Sequence, residues 1–372
     1  TKLFSSIVIL FSLIHVLHAQ NFVAGNAIVL LDKNITIKDL CLELESTTGF
    51  EFQAEKRLSQ SINLWLISFN ADQMETPIVL SKIEREEGVI LAQLNHTNLI
   101  QRSAPNDAYF ENQWAFENNG TNGGSGTSDI QAIDAWDIAT GGLTVLGDTI
   151  VIAVIDGGFD VDHEDLIANM YINHQETPAN GIDDDGNGYI DDVQGWDFYS
   201  DDNTIPLDNH GTHVAGTIGA RGNNQIGVTG VNWNVKLLPL AGSSSLESTV
   251  VAAYGYVLDM RKKYNQTNGS QGAYIVSTNS SFGVDYGDPA AYPIWCAMYD
   301  SLGYEGVLSA GATANLPIDI DVYGDVPTAC SSNFLLSVTN STSSDVRNSG
   351  AAWGDTTIDI AAPGSYIYSA KN

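Results

Sequence analysis

The segment "DNHGTHVAG", residues 208–216, carries two histidines, His210 and His213, three apart among small residues, with the carboxylate of Asp208 just upstream. Such a pair suits three kinds of chemistry: two metal ligands, a general base with a neighbour, or two imidazoles satisfied inside a core. A metal reading lacks the glutamate and third ligand that an HExxH-type helix supplies. Upstream, "TIVIAVIDGGFD" ends an apolar run on Asp156, and two glycines follow. A carboxylate at the carboxyl end of a core strand is costly unless it is hydrogen-bonded. It either caps a turn or helix or orients a histidine. Gly211 leaves room for a substrate beside His210, and His213 falls one helical turn further along. Spacing alone leaves these readings open.

A second stretch with chemical content is "NGIDDDGNGYIDDVQGWDF", residues 180–198. Asp183, Asp185, Asn187, the carbonyl of Tyr189 and Asp191 fall at positions 1, 3, 5, 7 and 9 of a calcium-type loop, with Gly188 at position 6. Position 12 is Gln194 rather than a bidentate glutamate, which disfavours a true EF-hand and leaves Asp192 as a further oxygen source. Five carboxylates within ten residues repel one another without a cation. The expectation is therefore a structural calcium ion; the alternative is an acidic turn-rich loop holding none.

The elements that position these residues are legible in outline. From residue 104 onward, short apolar runs alternate with small-residue helical stretches: "TIVIAVI" (149–155), "VKLLPL" (235–240), "AYIVSTN" (273–279), "GVLSAGA" (306–312), "FLLSVT" (334–339) and "TIDIAA" (357–362). Runs apolar on both faces and separated by helices predict a parallel sheet covered on both sides. In such sheets the active crevice lies outside the carboxyl ends of the strands, where Asp156 falls. Residues 20 to about 103 read as a separate small unit, with alternating runs "AIVLL" and "NLWLISF" and a helical stretch "IVLSKIEREEG". A boundary falls at "QRSAPND", residues 101–107, where Pro and Asn break any element.

Charge separates the same two regions. Before residue 104 there are 11 acidic and 8 basic residues; from 104 onward there are 34 and 7, and none of the 22 charges between 104 and 220 is a Lys or Arg. A surface of that sign repels phosphate backbones, so nucleic acid is excluded as an expected partner. Residues 1–19, "TKLFSSIVILFSLIHVLHA", have the Lys, apolar stretch and small final residue of a secretory signal, and are too short for a membrane span. Export permits disulfides. Cys296 and Cys330 pair or remain two buried thiols, with Cys41 the odd one.

"VIAVIDGGFD" followed by "NHGTHVAGTIGA" resembles the aspartate and histidine motifs of the subtilisin-like serine peptidases, in that family's order. "RGNNQIGVTGVNWNVKLLPL" resembles the family's segment after the histidine, "NSSFG" its substrate-binding strand, "GVLSAGATAN" the strand delivering an oxyanion-hole asparagine, and "IAAPG" the segment before the nucleophile. The resemblance implies an α/β subtilisin-like domain over 104–372, preceded by a small α+β inhibitory and chaperone propeptide over 20–103. It makes Asp156 the orienting carboxylate, His210 the general base and His213 a packing residue. Asn315 becomes the oxyanion donor, although Ala314 stands where many relatives carry Gly. Ser281, Phe282 and Gly283 become the partner of an extended polypeptide substrate.

The resemblance also implies a nucleophile in a Gly-Thr-Ser motif beyond "APG". This chain reads "IAAPGSYIYSAKN" and offers only Ser365 and Ser369, neither in that context. The expectation is a secreted serine endopeptidase zymogen, here incomplete before its serine and inactive as this fragment, with its own propeptide as intramolecular inhibitor and processing between Arg102 and Asn106. The alternative is a non-catalytic, calcium-binding secreted protein on a degenerate peptidase scaffold.

Overall fold

The computed structural model describes residues 22–97, 104–120, 124–126, 128–243 and 245–371. The leader-like segment 1–19 and residues 101–103 of the boundary lie outside the described residues. The chain divides into two units, Thr1–Gln101 and Arg102–Asn372.

The first unit runs β1 (Phe22–Leu31), α1 (Ile37–Thr48), β2 (Phe52–Ser59), β3 (Leu64–Phe69), α2 (Thr76–Ile83) and β4 (Val89–His96). Its sheet has the order β2-β3-β1-β4, and every neighbouring pair is antiparallel. Alternation along β1 buries Ala27, Val29 and Leu31, which pack with Leu40 and Leu44 of α1 and Val79 and Ile83 of α2. Thr36 caps α1 by accepting from the Asp39 N–H, and Gly49 closes the helix in the left-handed region. The helical stretch expected over "IVLSKIEREEG" stops at Ile83. Arg85 N–H and Glu86 N–H reach back only three residues, to Lys82 and Ile83, so the chain tightens into a turn before β4. Cys41 is free and buried in this core.

The second unit runs α3 (Ala132–Trp136), β5 (Val151–Asp156), β6 (Trp196–Asp197), α4 (Asn209–Gly219), β7 (Lys236–Ala241), α5 (Glu247–Thr267), β8 (Ile275–Ser280), β9 (Val284–Asp285), α6 (Pro293–Tyr304), β10 (Leu308–Ala312), α7 (Ile320–Tyr323), β11 (Asp325–Val326), β12 (Leu335–Ser341) and β13 (Ile360–Pro363). Seven strands form one sheet in the order β13-β12-β10-β8-β5-β7-β6, and every pairing in it is parallel. The six apolar runs read from sequence are six of its strands. The seventh, β6, is two residues long and has no periodicity to read.

Helices cover both faces, and the two-residue period of the central strand shows how. Ala153 and Ile155 of β5 join Leu238, Leu240 and the α5–α6 side of the core, whereas Val154 joins Leu237, Ala215 of α4 and Phe159. Helix α5 buries Val250, Ala253, Tyr254, Tyr256, Val257 and Met260, each large apolar side chain contributing about 1.5–3 kcal/mol by leaving water. Polar tips in that core are paired. The Tyr254 hydroxyl bonds with Ser280 Oγ and, at 2.8 Å, with the Tyr299 hydroxyl, which also accepts from Trp295 Nε1 at 2.9 Å. This network fixes Ser280, the last residue of β8. Cys296 on α6 and Cys330 form a disulfide, with Cα atoms 5.2 Å apart. Among the described residues, no helix is long and apolar enough to cross a membrane.

Candidate active site

Three neighbouring strands deliver the candidate residues to the carboxyl edge of the sheet. Asp156 is the last residue of β5, Ser281–Gly283 follow β8, and Thr313–Asn315 follow β10. Helix α4 runs back from the same edge. Its N-cap Asp208 accepts from the His210 N–H at 2.6 Å, which sets the first turn. The glycines around both motifs are a matter of space. A Cβ on Gly211 would stand 2.1 Å from the Gly158 carbonyl oxygen, and one on Gly158 would stand 2.2 Å from that of Pro206. The helix and the turn after β5 therefore touch backbone to backbone, which brings a histidine on one to a carboxylate on the other.

His210 Nδ1 lies 2.9 Å and 3.0 Å from the two oxygens of Asp156. Asp156 is buried, with Oδ1 also accepting from the Gly157 N–H at 2.7 Å, while 59% of the His210 side chain faces solvent. The hydrogen bond to Asp156 raises the imidazole pKa above its ordinary value; the charges of Asp156 and Asp208 add to this, and burial opposes it. With Nδ1 as donor to the carboxylate, Nε2 carries the lone pair. His213 takes another part: its Nε2 lies 3.1 Å from the Ile367 carbonyl oxygen, and its own carbonyl accepts from Ser369 Oγ at 2.8 Å. Those contacts tie the segment after β13 to α4. Ser365 Oγ is hydrogen-bonded to Asn340 and Asn348. Among the described residues no hydroxyl is hydrogen-bonded to His210 Nε2.

A cleft of about 450 Å³ opens beside the imidazole, lined by His210, Ser281, Phe282, Gly283, Ala312 and Asn315 among others. The structure thus gathers His210, Asn315 and the substrate-strand candidates around one cavity, with Asp156 bonded to the imidazole but not lining the cavity. Phe282 packs its ring 6.0 Å from that of Trp295, and Asn315 is exposed to the cleft. Two cleft residues escaped sequence reading, Asp285 and Asp325; they stand forty residues apart in the chain and meet only through the β9–β11 ladder.

In the acidic loop the carboxylates of Asp183 and Asp185 gather with that of Glu176, ligand atoms within 4.8 Å of one another. Glu176 lies ahead of the loop spacing, so sequence gave no sign of it. Asp183 also accepts from the N–H groups of Gly186, Asn187 and Gly188, which shapes the turn. Asp191 directs its oxygens at the N–H groups of Asn180 and Gly181, at 3.0 and 2.9 Å. Asn187 Oδ1 accepts from the Tyr189 N–H, and its amide donates to Asp185 and Asp192. Asp192 is fully buried and held by Asn173, Asn187 and Tyr256. Burial raises the Glu176 pKa, with the charges of Asp192 and Asp185 adding to it and backbone N–H groups opposing. An all-oxygen, carboxylate-rich donor set of this kind suits a hard cation such as calcium.

A parallel α/β domain with a buried aspartate hydrogen-bonded to a histidine at the mouth of a crevice has the base and orienting carboxylate that triad hydrolases use. A profile of the subtilase family matches residues 147–372, and the chain belongs to that family of serine peptidases. It is 36% identical over 197 residues to a subtilisin-like protease 1 of Plasmodium berghei, covering 51% of this chain and 30% of that protein. It is 30% identical over 304 residues to an extracellular protease of Xanthomonas campestris, covering 77% of this chain and 46% of that protein. The chain thus spans less than half the length of either. Among solved structures, a protease of Pseudoalteromonas arctica shares the fold with a TM-score of 0.51 at 23% identity, over 70% of this chain and 73% of that one.

Proposed function

We propose that the protein is a secreted serine endopeptidase made as a zymogen, with Asp156 and His210 as two members of an Asp-His-Ser triad. The observation that carries this is the Nδ1–carboxylate contact at 2.9 Å beside the cleft. Asp156 holds the imidazole in the tautomer that leaves Nε2 basic. A serine hydroxyl opposite Nε2 gives its proton to His210 as its oxygen attacks the substrate carbonyl. Asp156 stabilises the imidazolium, and the Asn315 amide donates to the oxyanion. His210 then passes the proton to the departing amine, and water releases the acyl group by the reverse sequence. Ser281–Gly283 pair with the extended substrate backbone.

Residues 20–103 serve as the propeptide, 1–19 as the export signal, and the Xanthomonas relative, named an extracellular protease, supports export. Glu176, Asp183 and Asp185 would hold a calcium ion that neutralises the loop and stabilises it. The decisive experiment is fluorophosphonate labelling of the full-length secreted protein, followed by mapping of the labelled serine. Labelling that disappears in His210→Ala supports the reading. No labelling, or labelling indifferent to His210→Ala, overturns it.

A further inference from the structure

The cleft is acidic at one end. Strands β9 and β11 pair antiparallel with Asp285 directly opposite Asp325, and both residues line the cavity. Strand β9 continues from Ser281–Gly283, and Asp325 accepts from the Ala314 N–H at 3.0 Å, one residue before Asn315. The two carboxylates therefore lie between the strand assigned to the substrate backbone and the residue assigned to the oxyanion. Asp325 is 1% exposed. Its Oδ2 takes both hydrogen bonds, from Ala314 N–H and from Thr328 Oγ1 at 2.5 Å, while Oδ1 takes none among the described residues.

Burial raises the Asp325 pKa to about 6, against those two hydrogen bonds and with the charge of Asp285 adding. Like charges directly opposite on a ladder are destabilising, and a buried carboxylate is costly without a counter-charge. Among the described residues no Lys, Arg or His forms an ion pair with either aspartate. The cation this end of the cleft fits must come with the ligand. The walls leading to it, Phe282, Gly283, Gly311 and Ala312, are apolar or small, which suits an aliphatic stem with a charged tip.

We propose that the substrate side chain entering this cleft beside the bond to be cut is basic, arginine or lysine, with its cation held by Asp285 and Asp325. Arginine is the better fit, because its planar fork can meet two carboxylate oxygens at once. This specificity rests on the peptidase reading above.

The test uses the full-length processed protein and a set of peptides identical except for Arg, Lys, norleucine or Glu at that position. Both kcat/KM and binding by calorimetry are measured for wild type, Asp285→Asn and Asp325→Asn. The second variant keeps an oxygen for the Ala314 N–H while losing the charge. The expected result is a preference for Arg or Lys over norleucine of at least about tenfold, with Glu poorest, and an Arg-to-norleucine ratio that falls about tenfold or more in each variant. A merely structural role lowers all peptides together and leaves the ratio unmoved, which overturns the inference. So does a wild type that takes norleucine as well as Arg, or one that binds none of the peptides. Fluorophosphonate labelling separates the two readings: a basic preference in binding without labelling sinks the peptidase and keeps the pocket, and labelling without a basic preference does the opposite.

Discussion

At the scale of single residues, the pair Asp156–His210 makes the sharpest predictions. A histidine that is to act as a base must be neutral, and its hydrogen bond to Asp156 raises its pKa above the ordinary value. The acid limb of kcat/KM is therefore expected above about pH 6.5, the value of an unperturbed histidine. In Asp156→Asn the limb moves down, because the charge that favours imidazolium is gone. The rate falls too, by about 10⁴, since an amide in that place favours the wrong tautomer. A pH profile checks both, and a limb that stays put in the variant would remove Asp156 from the mechanism. Stability carries the same sign. A group whose pKa is raised on folding stabilises below its unfolded pKa and loses that contribution as pH rises through the folded one. Asn315→Ala is expected to lower kcat by about 10²–10³ with KM little changed, a loss of the size another subtilase shows. An unchanged kcat would reassign the oxyanion donor.

At the scale of elements, the site depends on how closely α4 approaches the turn after β5. Gly211→Ala places a methyl group 2.1 Å from the Gly158 carbonyl oxygen. It is expected to cost about 1–3 kcal/mol through overpacking and to loosen the Asp156–His210 contact. Gly255→Ala, in the interior of α5 with nothing within 4 Å of the new atom, is expected to stabilise by about 0.5–1 kcal/mol. Thermal melts of the two variants should move in opposite directions; equal shifts would show that helical propensity, not clearance, governs α4. The acidic loop gives another expectation. If Glu176, Asp183 and Asp185 hold calcium, a ligand at 100 times its Kd adds about 2.7 kcal/mol, worth about 5–10 °C in Tm for a unit this large. A chelator should remove that increment from wild type and leave Asp183→Asn/Asp185→Asn unmoved. A chelator-indifferent wild type would return the loop to its hydrogen bonds alone.

What could be read beforehand divides along physical lines. Strands β5, β7, β8, β10, β12 and β13 were legible because they are apolar on both faces, the mark of a sheet covered on both sides. Asp156 and His210 were legible because each sits in a short motif whose glycines answer to contacts within a few ångströms. Glu176 was not, because it approaches Asp183 and Asp185 from outside the loop spacing. Asp285 and Asp325 were not, because only a two-residue ladder joins them. Asp191 has the right spacing for a ligand, and its oxygens accept the N–H groups at 180 and 181 just as those of Asp183 accept N–H groups at 186, 187 and 188.

At the scale of the whole molecule, the chain divides after Gln101, inside the stretch 101–107 where sequence places a boundary. Residues 22–97 have their own sheet, two helices and a core of eleven buried apolar side chains. That is the equipment of a unit able to fold first. From residue 104 onward there are 34 acidic and 7 basic residues, and the second unit has a seven-stranded sheet whose neighbours are mostly distant in sequence, as in β5 beside β7 and β8. Such non-local parallel pairing is slow to form, and excess like charge opposes compaction. A separately folding partner that speeds the second unit's assembly and is then cut away, the part proposed for residues 20–103, answers the first of these problems. On the proposed reading as an exported zymogen, the mature protein is expected to begin between Arg102 and Asn106 by N-terminal sequencing. Deleting 20–101 from the gene should lower the yield of fluorophosphonate-labelled protein, and supplying residues 20–101 as a separate chain during refolding should restore it. Secreted protein that retains residues 20–100 and labels fully would make the first unit a permanent domain. A deletion without effect on yield would deny it any part in folding.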